Sequence, residues 1–207
     1  MNPYLSWTPE ELAIMTNAGK FAGFAKNCRQ WGIDPSKSTL IDVGCGHGQT
    51  ALALSWHFKT VKGIDSSTAM LEYARSLKQQ IKAIHDRLFH NCRFYRGNFR
   101  SIQGKFQVAL LFNSIHYSKD VMNDLRYIHG KLDSGGLLII KEPTCNSKFG
   151  ASQLNNPSTS RQRKLETLAA TRHHIDQFKI QCNGDGDTIM VEKNADKFYL
   201  LVIRKHG

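Results

Sequence analysis

Short apolar runs alternate along this chain with longer segments spaced in threes and fours, and that alternation constrains the fold more than any other feature. The runs Thr39–Val43, Thr60–Ile64, Cys92–Tyr95, Phe106–Phe112 and Leu137–Lys141 read as strands. Helical patterns fall between them, at about His47–Phe58, Thr68–Leu88 and Lys119–Leu132. In the second of these Met70, Leu71, Ala74, Leu77, Ile81, Ile84 and Leu88 form one stripe. Strands that alternate with helices imply a parallel sheet covered by helices, because each crossover must return the chain to the same edge. Asp133-Ser134-Gly135-Gly136 reads as a tight turn into the fifth strand. A final pair, Thr188–Glu192 and Phe198–Arg204, with Asn194-Ala195-Asp196 between them, reads as an antiparallel hairpin. The expected architecture is therefore α/β: a Rossmann-like, doubly wound, mostly parallel seven-stranded sheet with an antiparallel C-terminal hairpin. Phe178–Gln181 is a further strand candidate without a place in it.

At 207 residues, 41% hydrophobic and 22% charged, the chain has the size and composition of one globular domain. Residues 1–37 read as an N-terminal helical lid, starting at Thr8-Pro9-Glu10-Glu11 and carrying Tyr4 and Trp7, and residues 38–207 as a core. Asn146–Ser160, rich in Asn, Ser and Gln, reads as a loop, followed by a helix near Arg161–Thr171. No run of about 18 apolar residues spans a membrane. The first residues lack the basic and apolar pattern of a signal peptide. Five scattered cysteines without a Cys-x-x-Cys pair fit a reducing compartment, so the expected location is the cytoplasm, with no metal. His173-His174 with Asp176 lacks further ligands at useful spacing and reads as a solvated helix end.

Net charge is +11, and much of it is local. Arg75, Lys78, Lys82, Arg87, Arg93, Arg96, Arg100 and Lys105 face only Asp86 in sequence. A clustered positive field steers polyanions, so nucleic acid is a candidate partner; the alternative is a solvated helix face.

Chemistry enters at Ile41-Asp42-Val43-Gly44-Cys45-Gly46-His47-Gly48, where a strand runs into a helix. Glycines there allow a sharp turn and a close approach of backbone to ligand. The third glycine comes one residue too early for a dinucleotide fingerprint, and no Gly-Lys-Ser/Thr follows for a phosphate-cradling loop. Asp42 would repel a diphosphate and suit a cationic ligand. At the tip of the next strand, Asp65 stands seventeen residues after Gly48, where a carboxylate can accept bonds from a ribose diol.

These residues resemble the class I S-adenosylmethionine-dependent methyltransferases. The likeness is specific at Asp42–Gly48 and Gly63–Asp65, and extends through Asn113–Tyr117 and Leu132–Glu142. It implies S-adenosylmethionine as cofactor, with Gly44, Gly46 and Gly48 beneath the methionine moiety and Asp42 beside it. Asp65 would hold the ribose hydroxyls, and Ser66 and Met70 would lie against adenine. At Asn98-Phe99, relatives often carry an acid that meets the adenine amino group; here that residue is Asn98. Asn113 would lie near the methyl group. His116 and Tyr117 follow the fourth strand and are the candidate catalytic pair, His116 as base or acceptor guide.

The acceptor is less constrained. Phe112-Asn113-Ser114-Ile115 is not the Asn/Asp-Pro-Pro-Tyr/Phe of amino methylation on adenine or glutamine. Lys141 and Glu192 match only half of a Lys-Asp-Lys-Glu tetrad for ribose methylation. A small-molecule acceptor, methylated on oxygen or nitrogen, is the expectation. An RNA methyltransferase using the Arg75–Lys105 surface and a non-catalytic cofactor-binding partner subunit are the alternatives.

Overall fold

The structure is a computed structural model and describes residues 18–84, 89–144, 161–195 and 198–207. Tyr4, Trp7, the helix start at Thr8, the 146–160 loop and Asp196 lie outside the described residues. The chain forms two compact units that divide after Asn98.

In the first unit, α1 (Ala22–Gln30) buries Ala25 and Cys28. A short 3-10 turn, Pro35–Lys37, capped by the Asp34 side chain, follows. Then come β1 (Thr39–Val43), α2 (Gln49–Leu54), β2 (Thr60–Asp65), α3 (Thr68–Ile84) and β3 (Cys92–Arg96). β1 pairs with β2 and β2 with β3, all parallel. Four of the five β1 residues are buried, the mark of a strand covered on both faces. β3 instead alternates, with Cys92 and Phe94 in and Arg93 and Tyr95 out. On α3 the stripe Leu71, Ala74, Leu77 and Ile81 is buried, whereas Met70 is exposed and does not belong to it.

The second unit contains β4 (Phe106–Phe112), α4 (Val121–Gly130), β5 (Leu132–Pro143), α5 (Arg161–Gly184), β6 (Thr188–Asn194) and β7 (Phe198–Arg204). β4 and β5 are parallel; β7 runs antiparallel to both β5 and β6. Strand order is β3-β2-β1-β4-β5-β7-β6, the expected seven-stranded, mostly parallel sheet ending in an antiparallel pair.

Two expectations change. The 133–136 turn does not precede β5; it is an irregularity within it, since Phe106 pairs with Leu132 and Val108 already with Leu137. Gly135, at φ +73°, makes the bend, and its amide and the Gly136 carbonyl bond the backbone of Lys205. Phe178–Gln181 is not a strand. Thr171, Ile175, Phe178 and Cys182 are buried at helical spacing, so α5 continues to Gly184, with Ile180 on its exposed side.

Candidate functional site

β1 delivers the chain to the glycine turn. The amides of Gly44 and Cys45 both donate to the Ile64 carbonyl, at 2.8 and 3.0 Å, so the turn hangs from the end of β2. Gly44, Gly46 and Gly48 have φ of +76°, +52° and +79°, a region that side chains disfavour. Their surroundings differ. A Cβ on Gly46 would meet nothing within 4 Å, whereas one on Gly48 would strike Phe94 at 2.6 Å and Ala74 at 2.8 Å. The Phe94 ring also fills the place of a side chain on Gly63, 2.7 Å away. Gly46 thus borders open space, and Gly48 is a packing requirement.

Asp65 ties this loop together. One carboxylate oxygen accepts from the Gly46 amide at 2.9 Å and the other from Ser67 at 2.8 Å, at the start of α3. Its carbonyl accepts from Gly97, which fixes the chain just before Asn98. Ser66, Met70 and Asn98 are exposed. Asp42, by contrast, is 2% exposed, and its Oδ2 has no hydrogen-bond partner among the described residues. Burial, aided by the Asp65 charge, pushes its carboxyl up to about 7. A buried acid with an unanswered oxygen and a glycine facing open space fit a ligand that brings positive charge and hydrogen-bond donors, as a methionine ammonium and sulfonium would.

The second unit carries the other candidates. Phe99 is half-buried and opens a 3-10 turn. Asn113 ends β4 at φ +53°, a conformation Asn tolerates better than most residues, with its amide on the Lys141 carbonyl at 2.8 Å. That bend presents the next three residues to one buried side chain, Glu142. Glu142 Oε1 accepts from the amides of Ser114 and Ile115 at 2.8 and 2.9 Å, and Oε2 meets His116 Nδ1 at 2.5 Å. His116 and Glu142 are both buried, at 8% and 4% exposure. Tyr117, 61% exposed, lays its ring 4.1 Å from that of His116.

Sequence reasoning gave Glu142 no role. Its signal was an acid at the tip of an otherwise apolar strand, where burial demands a partner. Glu142 also lines a cavity of about 600 Å³ with Thr144, Arg172, Ile175, Asp176 and Tyr199. Arg172 lies 3.5 Å over the Tyr199 ring and binds Asp176 at 2.9 Å. Lys141 and Glu192 are each engaged by other groups. The Lys141 ammonium sits over the rings of Phe112 and Phe198, and Glu192 is engaged by Lys179 at 2.9 Å. Of the basic cluster, Arg75 and Lys78 bond to β3 carbonyls, Arg100 pairs with Asp120 and Asp124, and Lys105 bonds to the Gly130 carbonyl. Arg93 and Arg96 stay exposed, and the side chains of Lys82 and Arg87 lie outside the description.

Asp65→Ala removes both loop contacts along with any bond to a ribose. Affinity for S-adenosylhomocysteine is expected to fall at least tenfold in isothermal titration, bonds to a charged acceptor being worth about 1.5–3 kcal/mol each. Gly46→Val, which fills the open space, is expected to weaken binding further. A folded Asp65→Ala protein of unchanged affinity would remove this carboxylate from the ligand site.

Comparison with known proteins agrees with this geometry. The profile of the methyltransferase domain family matches residues 21–179. Over 110 residues the chain is 31% identical to a trans-aconitate 2-methyltransferase of Enterobacter sp. (strain 638), a stretch covering 51% of this chain and 39% of that protein. The match therefore spans well under half of that relative. A proposed S-adenosyl-L-methionine-dependent methyltransferase from Methanococcus maripaludis superposes with a TM-score of 0.63 at 19% identity, covering 96% of this chain and 94% of the other. Magnesium protoporphyrin IX methyltransferase from Synechocystis PCC 6803, solved with bound S-adenosylhomocysteine, gives 0.58 at 15% identity over 95% and 86%. At such identities the structures establish the shared fold, while the family profile covers most of the chain: it belongs to the class I S-adenosylmethionine-dependent methyltransferases.

Proposed function

We propose that the protein methylates an oxygen or nitrogen of a small-molecule acceptor, the whole chain working as one methyltransferase domain. The observation that carries this reading is the Glu142 carboxylate, which holds His116 through one oxygen and lines the 600 Å³ cavity. That volume suits a small ligand better than a polymer. The relative that methylates trans-aconitate and the structural neighbour that methylates a magnesium porphyrin both have non-polymeric acceptors by name.

In this reading Gly44, Gly46 and Gly48 shape the floor beneath the methionine moiety, Asp42 faces its positive charge, and Asp65 holds the ribose. Ser66, Met70, Asn98 and Phe99 border the adenine, and Asn113 turns the chain beside the reacting centre. S-adenosylmethionine supplies an electrophilic methyl group, so the protein's task is to align the nucleophile, exclude water and accept a proton. With Nδ1–H donating to Glu142, His116 keeps Nε2 as its basic nitrogen, the one suited to take the acceptor's proton. Tyr117, whose ring lies 4.1 Å from the imidazole, stands beside it.

Thermal melting with ligands tests the cofactor half. S-adenosylmethionine and S-adenosylhomocysteine are expected to raise the melting temperature, while NAD, FAD and ATP leave it unchanged. Methyl-labelled cofactor added to a lysate with purified protein tests the acceptor half: label in small molecules supports the proposal, and label in RNA overturns it.

A further inference from the structure

Three metal-ligating side chains meet in the second unit, away from the residues assigned above. His129 stands in the last turn of α4, Cys182 near the end of α5, and Asp187 just before β6. Their ligand atoms, one nitrogen, one sulfur and one carboxylate oxygen, all lie within 4.8 Å of one another. Cys182 and Asp187 are buried and His129 half-buried.

His129 and Cys182 both converge on the Asp187 carboxylate. His129 Nε2 and Asp187 Oδ2 are 2.8 Å apart, yet they are not aligned as a hydrogen bond, and both atoms are buried without such a partner. Asp187 uses its other oxygen to accept from the His206 amide at 2.7 Å, which fixes the carboxylate. A nitrogen, a thiol and a carboxylate brought together in a largely buried place form a donor set that a cation can use. Lys205 is the nearby cation, and its ammonium is turned onto the Leu132 carbonyl at 3.0 Å.

We propose that His129, Cys182 and Asp187 bind one divalent cation of zinc-like character. Mixed nitrogen, sulfur and oxygen donors select a borderline-soft ion over magnesium or calcium. On binding, the Cys182 thiol gives its proton to solvent as the sulfur–metal bond forms. Thiolate and carboxylate together then neutralise the dication. With bond lengths of about 2.0–2.3 Å, His129 Nε2 and Asp187 Oδ2, 2.8 Å apart, must part slightly to admit the ion, a movement within reach of side-chain rotation. The ion would clamp the end of α4 to the junction between α5 and β6, a structural role distinct from methyl transfer.

The test uses the full chain, stripped with chelator and titrated with cobalt(II), then zinc. One equivalent of cobalt is expected to give a thiolate-to-cobalt charge-transfer band, which zinc abolishes. Zinc at a hundredfold excess over its Kd is expected to raise the melting temperature by about 5 °C or more. His129→Gln and Cys182→Ser are each expected to weaken binding at least tenfold while S-adenosylhomocysteine still binds, which shows that the variants are folded. Absence of the band from the unaltered protein overturns the proposal without recourse to any variant. So does binding that both substitutions leave intact, which would place the ion elsewhere.

Discussion

His116→Ala is expected to cut turnover about 10²-fold or more while S-adenosylhomocysteine affinity changes less than twofold. Loss of a positioned proton acceptor costs roughly that much. In the proposal the imidazole faces the acceptor, not the cofactor. Glu142→Gln separates positioning from support. A glutamine can keep its carbonyl on the Ser114 and Ile115 amides, but it no longer offers His116 a carboxylate, so turnover should drop with a modest loss of stability. Glu142→Ala leaves those buried donors unanswered and is expected to destabilise by about 1–3 kcal/mol for each. Melting and turnover measured on the same variants decide the matter. Full activity of His116→Ala at every pH would leave alignment as the whole mechanism. Parallel loss of melting temperature, cofactor affinity and turnover would make the histidine a prop for its loop.

Asp42→Asn is expected to stabilise the protein at pH 8 while weakening its hold on S-adenosylmethionine. The carboxyl titrates from 3.8 in the unfolded chain to about 7 in the fold. Folding therefore binds a proton between these values, and stability falls as pH rises through that window and stays low above it. At about 1.4 kcal/mol for each pKa unit, ionised Asp42 opposes folding by on the order of 4 kcal/mol above pH 7. The asparagine variant is expected to melt several degrees higher at pH 8 and to lose the decline between pH 4 and 7. Its cofactor affinity is expected to fall at least tenfold, since a buried negative charge awaiting a cation is gone. A variant that melts no higher than the parent at pH 8 would contradict the account of Asp42.

The central strands are legible in the sequence because they are buried on both faces. Thr39–Val43 and Phe106–Phe112 are near-continuous apolar runs, and the structure ends them at the residues where polarity returns. The 133–136 segment was harder. Its glycines signal a bend, but only pairing with β4 and the backbone of Lys205 shows that the strand continues on both sides. Phe178–Gln181 misleads when read alone, since Ile180 breaks the buried period that Thr171, Ile175, Phe178 and Cys182 maintain. At the site, the glycine turn announces itself through local chain chemistry. The partnership of Glu142 with His116 joins positions twenty-six residues apart, and spacing carries no trace of it.

The Phe94 ring has a bearing on how relatives of this chain are compared. It occupies at once the side-chain room of Gly48 and Gly63, so these two glycines answer to an aromatic on β3 as well as to any ligand. The three positions are coupled by packing. A lineage that replaces the aromatic with a small residue loses one reason to keep glycine at 63, the Cys45 sulfur at 2.9 Å being the other. A missing glycine at that position, found beside a shrunken residue at 94, would then record a repacked wall and say nothing about whether the cofactor is still bound. Gly46, which touches neither, is the position whose loss would carry that message.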